Sequence, residues 1–128
     1  MLNVSCRISS AVERHGGYLD ALAEAGLEPI EREVSLTNAD VNEALRELAD
    51  RPGSIDGMFA FSDLIAFRAA SWCLEQGVRI PEDMLLIGFD DILSHVQVPF
   101  PLSSICADKA LETETAVDML LKRIEATD

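Results

Sequence analysis

The sequence predicts an α/β domain, a parallel sheet flanked by helices, from three observations. Met58-Phe59-Ala60-Phe61 and Met84-Leu85-Leu86-Ile87 are short unbroken apolar runs, the pattern of strands covered on both faces. The stretches between and around such runs carry apolar residues at helical spacing, and strands alternating with helices imply a parallel sheet in a layered domain. The chain has 128 residues, enough for one core and too few for two.

In chain order, Ser9 or Ser10 is expected to cap a first helix that runs through Leu22 to Ala25 and stops at Gly26, since glycine takes the left-handed conformation after a helix without steric strain. Gly16 and Gly17 lie inside it. Each costs about 1 kcal/mol relative to alanine, so the pair is expected to mark close helix-to-sheet packing, or approach of the backbone to something else. Pro29 breaks the chain, and Ile30 to Leu36 alternates as a short strand does. Thr37-Asn38-Ala39-Asp40 resembles a capping box, and Val41, Ala44, Leu45 and Leu48 follow on one face of a second helix. Asp50-Arg51-Pro52-Gly53-Ser54 ends it.

Ile55 to Phe61 reads as a second buried strand, and Ser62-Asp63 opens a third helix reaching about Gln76, with Gly77 beyond. That helix holds Leu64, Ile65, Phe67, Ala69, Ala70, Trp72, Cys73 and Leu74. One core-facing stripe does not use so much apolar surface, so part of it is expected to meet a partner. Arg79 to Asp91 then reads as a loop, a buried strand and an acidic strand end, with Gly88 allowing a turn or a close approach before Asp90 and Asp91. In open α/β sheets that end of a strand is where ligands bind. Ile92 to Pro101 contains two prolines and is irregular; Leu102 to Ile105 is a short extended piece. A last helix from about Asp108 to Ala126 carries Leu111, Ala116, Met119, Leu120 and Ile124. Glu112, Glu114 and Asp118 come early in it and Lys122 and Arg123 late, the order the helix dipole favours.

Apolar residues make up 48% and charged residues 26%, an ordinary globular composition. No apolar run approaches the roughly 20 residues of a membrane span, and Met1 to Ser10 is too short in apolar residues for a signal peptide, so the expected compartment is the cytoplasm. The formal charge of −13 repels phosphate backbones and anionic membranes. Cys6, Cys73 and Cys106 are far apart and odd in number, a pattern of free thiols rather than of disulfides or zinc. No cofactor or metal is expected. The chain contains no glycine-rich phosphate loop and no nucleophile elbow. Asp90 and Asp91 cannot form a general acid/base pair if both continue the strand, because successive side chains then point to opposite faces. An enzyme is therefore not expected.

Five segments in order resemble the lactose-repressor and galactose-repressor family of bacterial transcription regulators, in the second half of their ligand-binding domain. They are Arg14-His15-Gly16-Gly17-Tyr18-Leu19-Asp20-Ala21-Leu22; Phe61-Ser62-Asp63; Gly77-Val78-Arg79-Ile80-Pro81-Glu82-Asp83 with Ile87-Gly88-Phe89-Asp90-Asp91; Pro101-Leu102-Ser103-Ser104-Ile105; and Thr115 to Leu121. The resemblance implies a partial periplasmic-binding-protein-like lobe of type I over residues 1–128, serving effector binding and dimerisation, with a sugar or nucleobase as the effector. It also implies that DNA is reached only through a helix-turn-helix that these residues do not include, and that the first lobe is likewise missing. A solute-binding protein of a sugar transport system is the alternative that shares the fold.

By the same resemblance, Asp90 and Arg14 contact the effector, with Ser10 and Ser62 as further polar contacts. A carboxylate accepts from adjacent hydroxyls, and a guanidinium donates a fork of hydrogen bonds. Asp63 is expected to be a helix-start carboxylate, and His15 and His95 to face solvent or lie in loops. Leu36 stands where the family places a stacking aromatic residue, and Arg68, Val41 and Thr113 stand where it usually has glycine. The dimer contact is expected at Leu64, Phe67, Arg68, Ser71 and Trp72 together with Ser94, Gln97 and Val98.

Overall fold

A computed structural model describes residues 1–4, 8–35, 37–51, 55–92 and 100–126. Among these the elements follow in the order β1 (Leu2–Asn3), α1 (Ser9–Ala25), β2 (Arg32–Glu33), α2 (Asn38–Ala49), β3 (Gly57–Phe59), α3 (Asp63–Glu75), β4 (Leu85–Phe89), β5 (Ser103–Ile105) and α4 (Lys109–Glu125). Every strand pairing is parallel: β1 with β2, β3 with β4, and β4 with β5. A bridge from Leu2 to Ala60 joins the two sets, and Phe61 N–H donates to Leu2 O at 2.9 Å. The strand sequence across the sheet is therefore 2-1-3-4-5, a doubly wound order whose direction of winding reverses between β1 and β3. Residues 6, 36, 52–54 and 93–99 carry sequence expectations that lie outside the described residues, among them Leu36, Ser94, His95, Gln97 and Val98.

The core lies on one side of this sheet. Leu2, Val41, Ile65 and Cys73 are wholly buried, with Leu45, Leu48, Met58, Ala60, Ala66, Ala69 and Leu86 around them. Residues from α2 and α3 supply most of it. Each large apolar side chain removed from water there contributes about 1.5–3 kcal/mol. The other side of the sheet is open. In β4, Leu86 and Gly88 are buried whereas Leu85 and Ile87 are exposed, so the expectation of a strand covered on both faces is corrected to one covered face. The physical reason is α4, which has the expected length and charge order but buries no residue. Val117, Leu120, Leu121 and Ile124 on it remain at least half exposed.

Local rules account for most element ends. Thr37 caps α2 by accepting from Asp40 N–H at 3.4 Å. Asp40 is also tied to the Ser35 hydroxyl, and that hydrogen bond pulls its carboxyl below the usual range. Gly26 follows α1 in the left-handed conformation, φ 67°, and Gly77 follows α3 at φ 74°. Asp108 caps α4 by accepting from Leu111 N–H at 3.0 Å. The start of α1 departs from expectation: its cap is Ile8, without a side-chain hydrogen bond, and Ser9 is already helical. The glycine pair departs as well, because nothing lies within 4 Å of a Cβ placed on Gly16 or Gly17. Close packing does not explain them.

Candidate functional site

The reversal of winding between β1 and β3 leaves a crevice at the carboxyl ends of the strands, and the polar side chains converge there. Arg14, on α1 just after β1, reaches across to the ends of β3 and β4. Its Nη1 donates to Phe61 O at 2.7 Å, and its Nη2 donates to Asp90 Oδ1 at 2.6 Å with a longer second bond, Nη1 to Oδ2 at 3.4 Å. The guanidinium carbon also lies 3.8 Å from the centroid of the Phe89 ring and 4.7 Å from that of Phe61. A cation held against two ring faces and forked onto a carboxylate has little freedom left. Arg14 keeps 16% of its side chain exposed and Asp90 keeps 36%, so the ion pair looks out from the protein on its aspartate side.

The backbone aims Asp90. β4 ends at Phe89, and both following residues have positive φ, 95° at Asp90 and 47° at Asp91. Aspartate tolerates this region better than most residues, although such conformations are sparsely populated and need support from their surroundings. The premise that both aspartates continue the strand is thereby corrected: the pleat has ended before either. Support comes from successive amides. Asp90 N–H donates to Ile105 O at 2.9 Å, Asp91 N–H to Ser104 Oγ at 3.0 Å, and Ile92 N–H to Asp63 Oδ2 at 2.8 Å.

A cleft of about 850 Å³ opens beside the pair. Ser10, Glu13, Arg14 and Tyr18 of α1, Phe89 and Asp90 at the end of β4, and Lys109 and Glu112 of α4 line it. Its floor is the open sheet face at Phe59, Ile87 and Ile105. Tyr18 is held in place by its hydroxyl, which donates to Ile30 O at 3.1 Å and accepts from Ile30 N–H at 3.2 Å. Lys109 Nζ donates to Asp91 O at 3.0 Å. Apolar floor, aromatic wall and a few oriented polar groups make up the usual lining of a small-molecule site. After pairing with Arg14, the Asp90 carboxylate still has lone pairs for hydroxyl or ring N–H donors, and the guanidinium still has unused N–H groups.

Of the residues expected in the site, Arg14, Asp90 and Ser10 line the cleft. Ser62 does not. It is 6% exposed, and its hydroxyl has no hydrogen-bond partner among the described residues, so it is not a side-chain cap either. His15 is half-buried, with Nε2 2.5 Å from Glu31 Oε1. Phe89, Phe61 and Tyr18 were not anticipated. The signal for Phe89 was its place immediately before the aspartates, which puts its ring beside whatever they hold. On α3, Leu64 is 44% exposed, while Phe67, Arg68, Ser71 and Trp72 are half-buried. The Phe67 ring stacks on Phe100 at 5.6 Å. Among the described residues no group of three or more acidic, histidine or cysteine side chains is arranged to hold a metal, and no helix is long and apolar enough to cross a membrane.

Residues 5–128 match the family described as periplasmic binding protein-like domain. An HTH-type transcriptional regulator CelR of Thermobifida fusca is 34% identical over 118 residues, covering 90% of this chain and 35% of that protein. A ribose operon repressor of Haemophilus influenzae is 36% identical over 123 residues, covering 91% of this chain and 36% of its own length. The solved structure of a transcriptional regulator CelR–cellobiose complex superposes with a TM-score of 0.84 at 29% identity, over 99% of this chain and 40% of that one. The chain thus spans about a third of the length of these curated relatives.

Proposed function

Since the chain belongs to the periplasmic binding protein-like domain family, in its lactose-repressor and galactose-repressor group, we propose that it is the effector-sensing and dimerisation segment of a bacterial transcriptional regulator. The Arg14–Asp90 pair carries this reading. It places a fork of donors and a fork of acceptors side by side in the lining of a cleft that also carries aromatic rings. That arrangement suits a small neutral ligand bearing adjacent hydroxyls or ring N–H groups, a sugar or a nucleobase, and suits an anion poorly in a chain of charge −13.

Asp90 accepts from the ligand, Arg14 donates to it and holds Asp90 in position, and Ser10 adds a hydroxyl from the α1 side. Ser62 contributes only if the ends of β3 and α3 rearrange on binding. The proposed site has no catalytic role. The names of the relatives are those of regulators, which favours this reading over a solute-binding protein of a transport system. Action in the cytoplasm goes with it. DNA contact in such a regulator is the work of another segment, because the charge here repels phosphate. Self-association is assigned to α3 at Leu64, Phe67, Arg68, Ser71 and Trp72; the further expected contacts Ser94, Gln97 and Val98 lie outside the described residues.

The test is an NMR titration of the chain with cellobiose, ribose, other simple sugars and purine bases at millimolar concentration. Shifts gathered at Arg14, Phe89 and Asp90, absent from Arg14→Ala and Asp90→Ala variants that keep their fold, are expected for at least one compound. Shifts at none of these residues with any compound would overturn the assignment.

A further inference from the structure

Asp63 has no role in the cleft just described, yet it is the most deeply buried carboxylate among the described residues, at 1% exposure. Its position in the first turn of α3 explains its charge, since the helix dipole favours an anion there. It does not explain its partners. One oxygen, Oδ2, accepts from Ile92 N–H at 2.8 Å, and the other, Oδ1, accepts from the Ser104 hydroxyl at 2.5 Å. Ser104 Oγ in turn accepts from Asp91 N–H at 3.0 Å. Both lines of contact, one direct and one through Ser104, end on the same short turn after β4, and neither serves α3 itself. β4 makes room for this. A Cβ on Gly88 would run into Asp63 Oδ1 and lie 3.2 Å from Ala66 Cβ, so α3 reaches the turn only because that strand position carries no side chain.

We propose that Asp63 is the positioning residue of the ligand site, acting with Ser104 as its relay. Together they hold the left-handed backbone at Asp90 and Asp91, and that backbone points the Asp90 carboxylate at Arg14 and into the cleft. Asp63 touches no ligand. Its part is to fix a conformation that the chain would otherwise populate sparsely. The proposal rests on the reading that Asp90 contacts the effector, but its geometric content is testable without a ligand.

The experiment compares Ser104→Ala with Ser104→Thr, which keeps a hydroxyl, and adds Asp63→Asn as a variant of nearly unchanged shape. Amide hydrogen exchange is read at Asp90, Asp91 and Ile92. Ser104→Ala is expected to speed exchange at Asp91 by about tenfold, the equivalent of one ordinary hydrogen bond, with a smaller change at Ile92, which Asp63 still holds directly. Ser104→Thr restores the original rate. In the same variants, affinity for whichever sugar or base the chain binds falls by about tenfold in Ser104→Ala and Asp63→Asn and recovers in Ser104→Thr. A purely structural role would lower the melting temperature and leave both readouts unchanged in the folded protein. Equal exchange at Asp91 in the wild type, Ser104→Ala and Ser104→Thr would overturn the proposal. Failure of every compound to bind the wild type would overturn the ligand reading alone, and the exchange data would then decide whether Asp63 sets the turn.

Discussion

Replacing Gly88 by alanine places a methyl group where β4 meets the first turn of α3. The new Cβ collides with Asp63 Oδ1 and lies 3.2 Å from both Ala66 Cβ and Asp63 Cα. Two of these neighbours are fixed by α3, which packs its buried face, Ile65, Ala66, Ala69 and Ala70, on the core, so the carboxylate has to move. Overpacking of this kind costs about 1–3 kcal/mol. A carboxylate pushed aside also loses at least one of its bonds to Ile92 N–H and Ser104, and a hydrogen bond to a charged group is worth about 1.5–3 kcal/mol. The sum is about 4 kcal/mol, against a total stability of about 5–15 kcal/mol for a typical domain. In urea, with a slope of about 2 kcal/mol per molar, the midpoint falls by about 2 M. Much of this penalty runs through Asp63. In an Asp63→Ala background the same Gly88→Ala change should therefore cost at least about 1 kcal/mol less, which a double-mutant cycle reads directly. A midpoint shift under about 0.5 M for Gly88→Ala in the wild type, or strict additivity in the cycle, would refute this account of the strand and of Asp63 together.

The open space at Gly16 makes the opposite prediction: Gly16→Ala should stabilise the chain by about 0.5–1 kcal/mol in the same urea assay, because alanine is the better helix former and meets nothing. Asp83 is bonded by the Arg79 side chain at 2.8 Å and 2.6 Å and by Arg79 N–H, which lower its pKa from 3.8 to about 2. Its contribution to stability is thus complete above its ordinary pKa and is lost as pH falls through about 2. A carboxyl NMR titration should show the low midpoint, and Arg79→Ala should return it toward 3.8. Burial pushes the Cys73 thiol up to about 11. A thiol reagent at pH 8 should therefore modify exposed Cys106 in the native protein and reach Cys73 only after unfolding, as mass spectrometry of the labelled peptides would show.

How far the sequence disclosed these features depended on the distance over which each is determined. Helix ends were legible where the cause is local: Gly26 and Gly77 after α1 and α3, and Thr37 and Asp108 before α2 and α4, act within a turn of their own position. β1 escaped notice because Leu2–Asn3 is two residues long, too short for any period to show. The one-sided burial of β4 is not encoded locally, because Leu85 and Ile87 look no different from Leu86 in sequence. Only the stance of α4 decides which of them meets water. At the candidate site, Arg14 and Asp90 are singled out by the motifs around them and line the cleft, whereas Asp63 has an adequate local explanation at the start of a helix. Its partners lie 29 and 41 residues further on, a separation that no local pattern encodes. Ser62 shows the reverse, a residue with the right type and place for a contact that folding has turned inward.

The ion pair lining the cleft joins residues 76 positions apart, and that separation is also an interval of time. At roughly 5–20 residues per second of synthesis, about 4–15 s pass between the making of Arg14 and the making of Asp90. By the end of that interval α1, α2 and α3 have been made, while the α1 guanidinium still has no Asp90 carboxylate opposite it. Ser104, which steadies the turn behind Asp90, arrives later still. The lining of the cleft is therefore complete only once Lys109 and Glu112 of α4 have been made, well after the helices that pack the core.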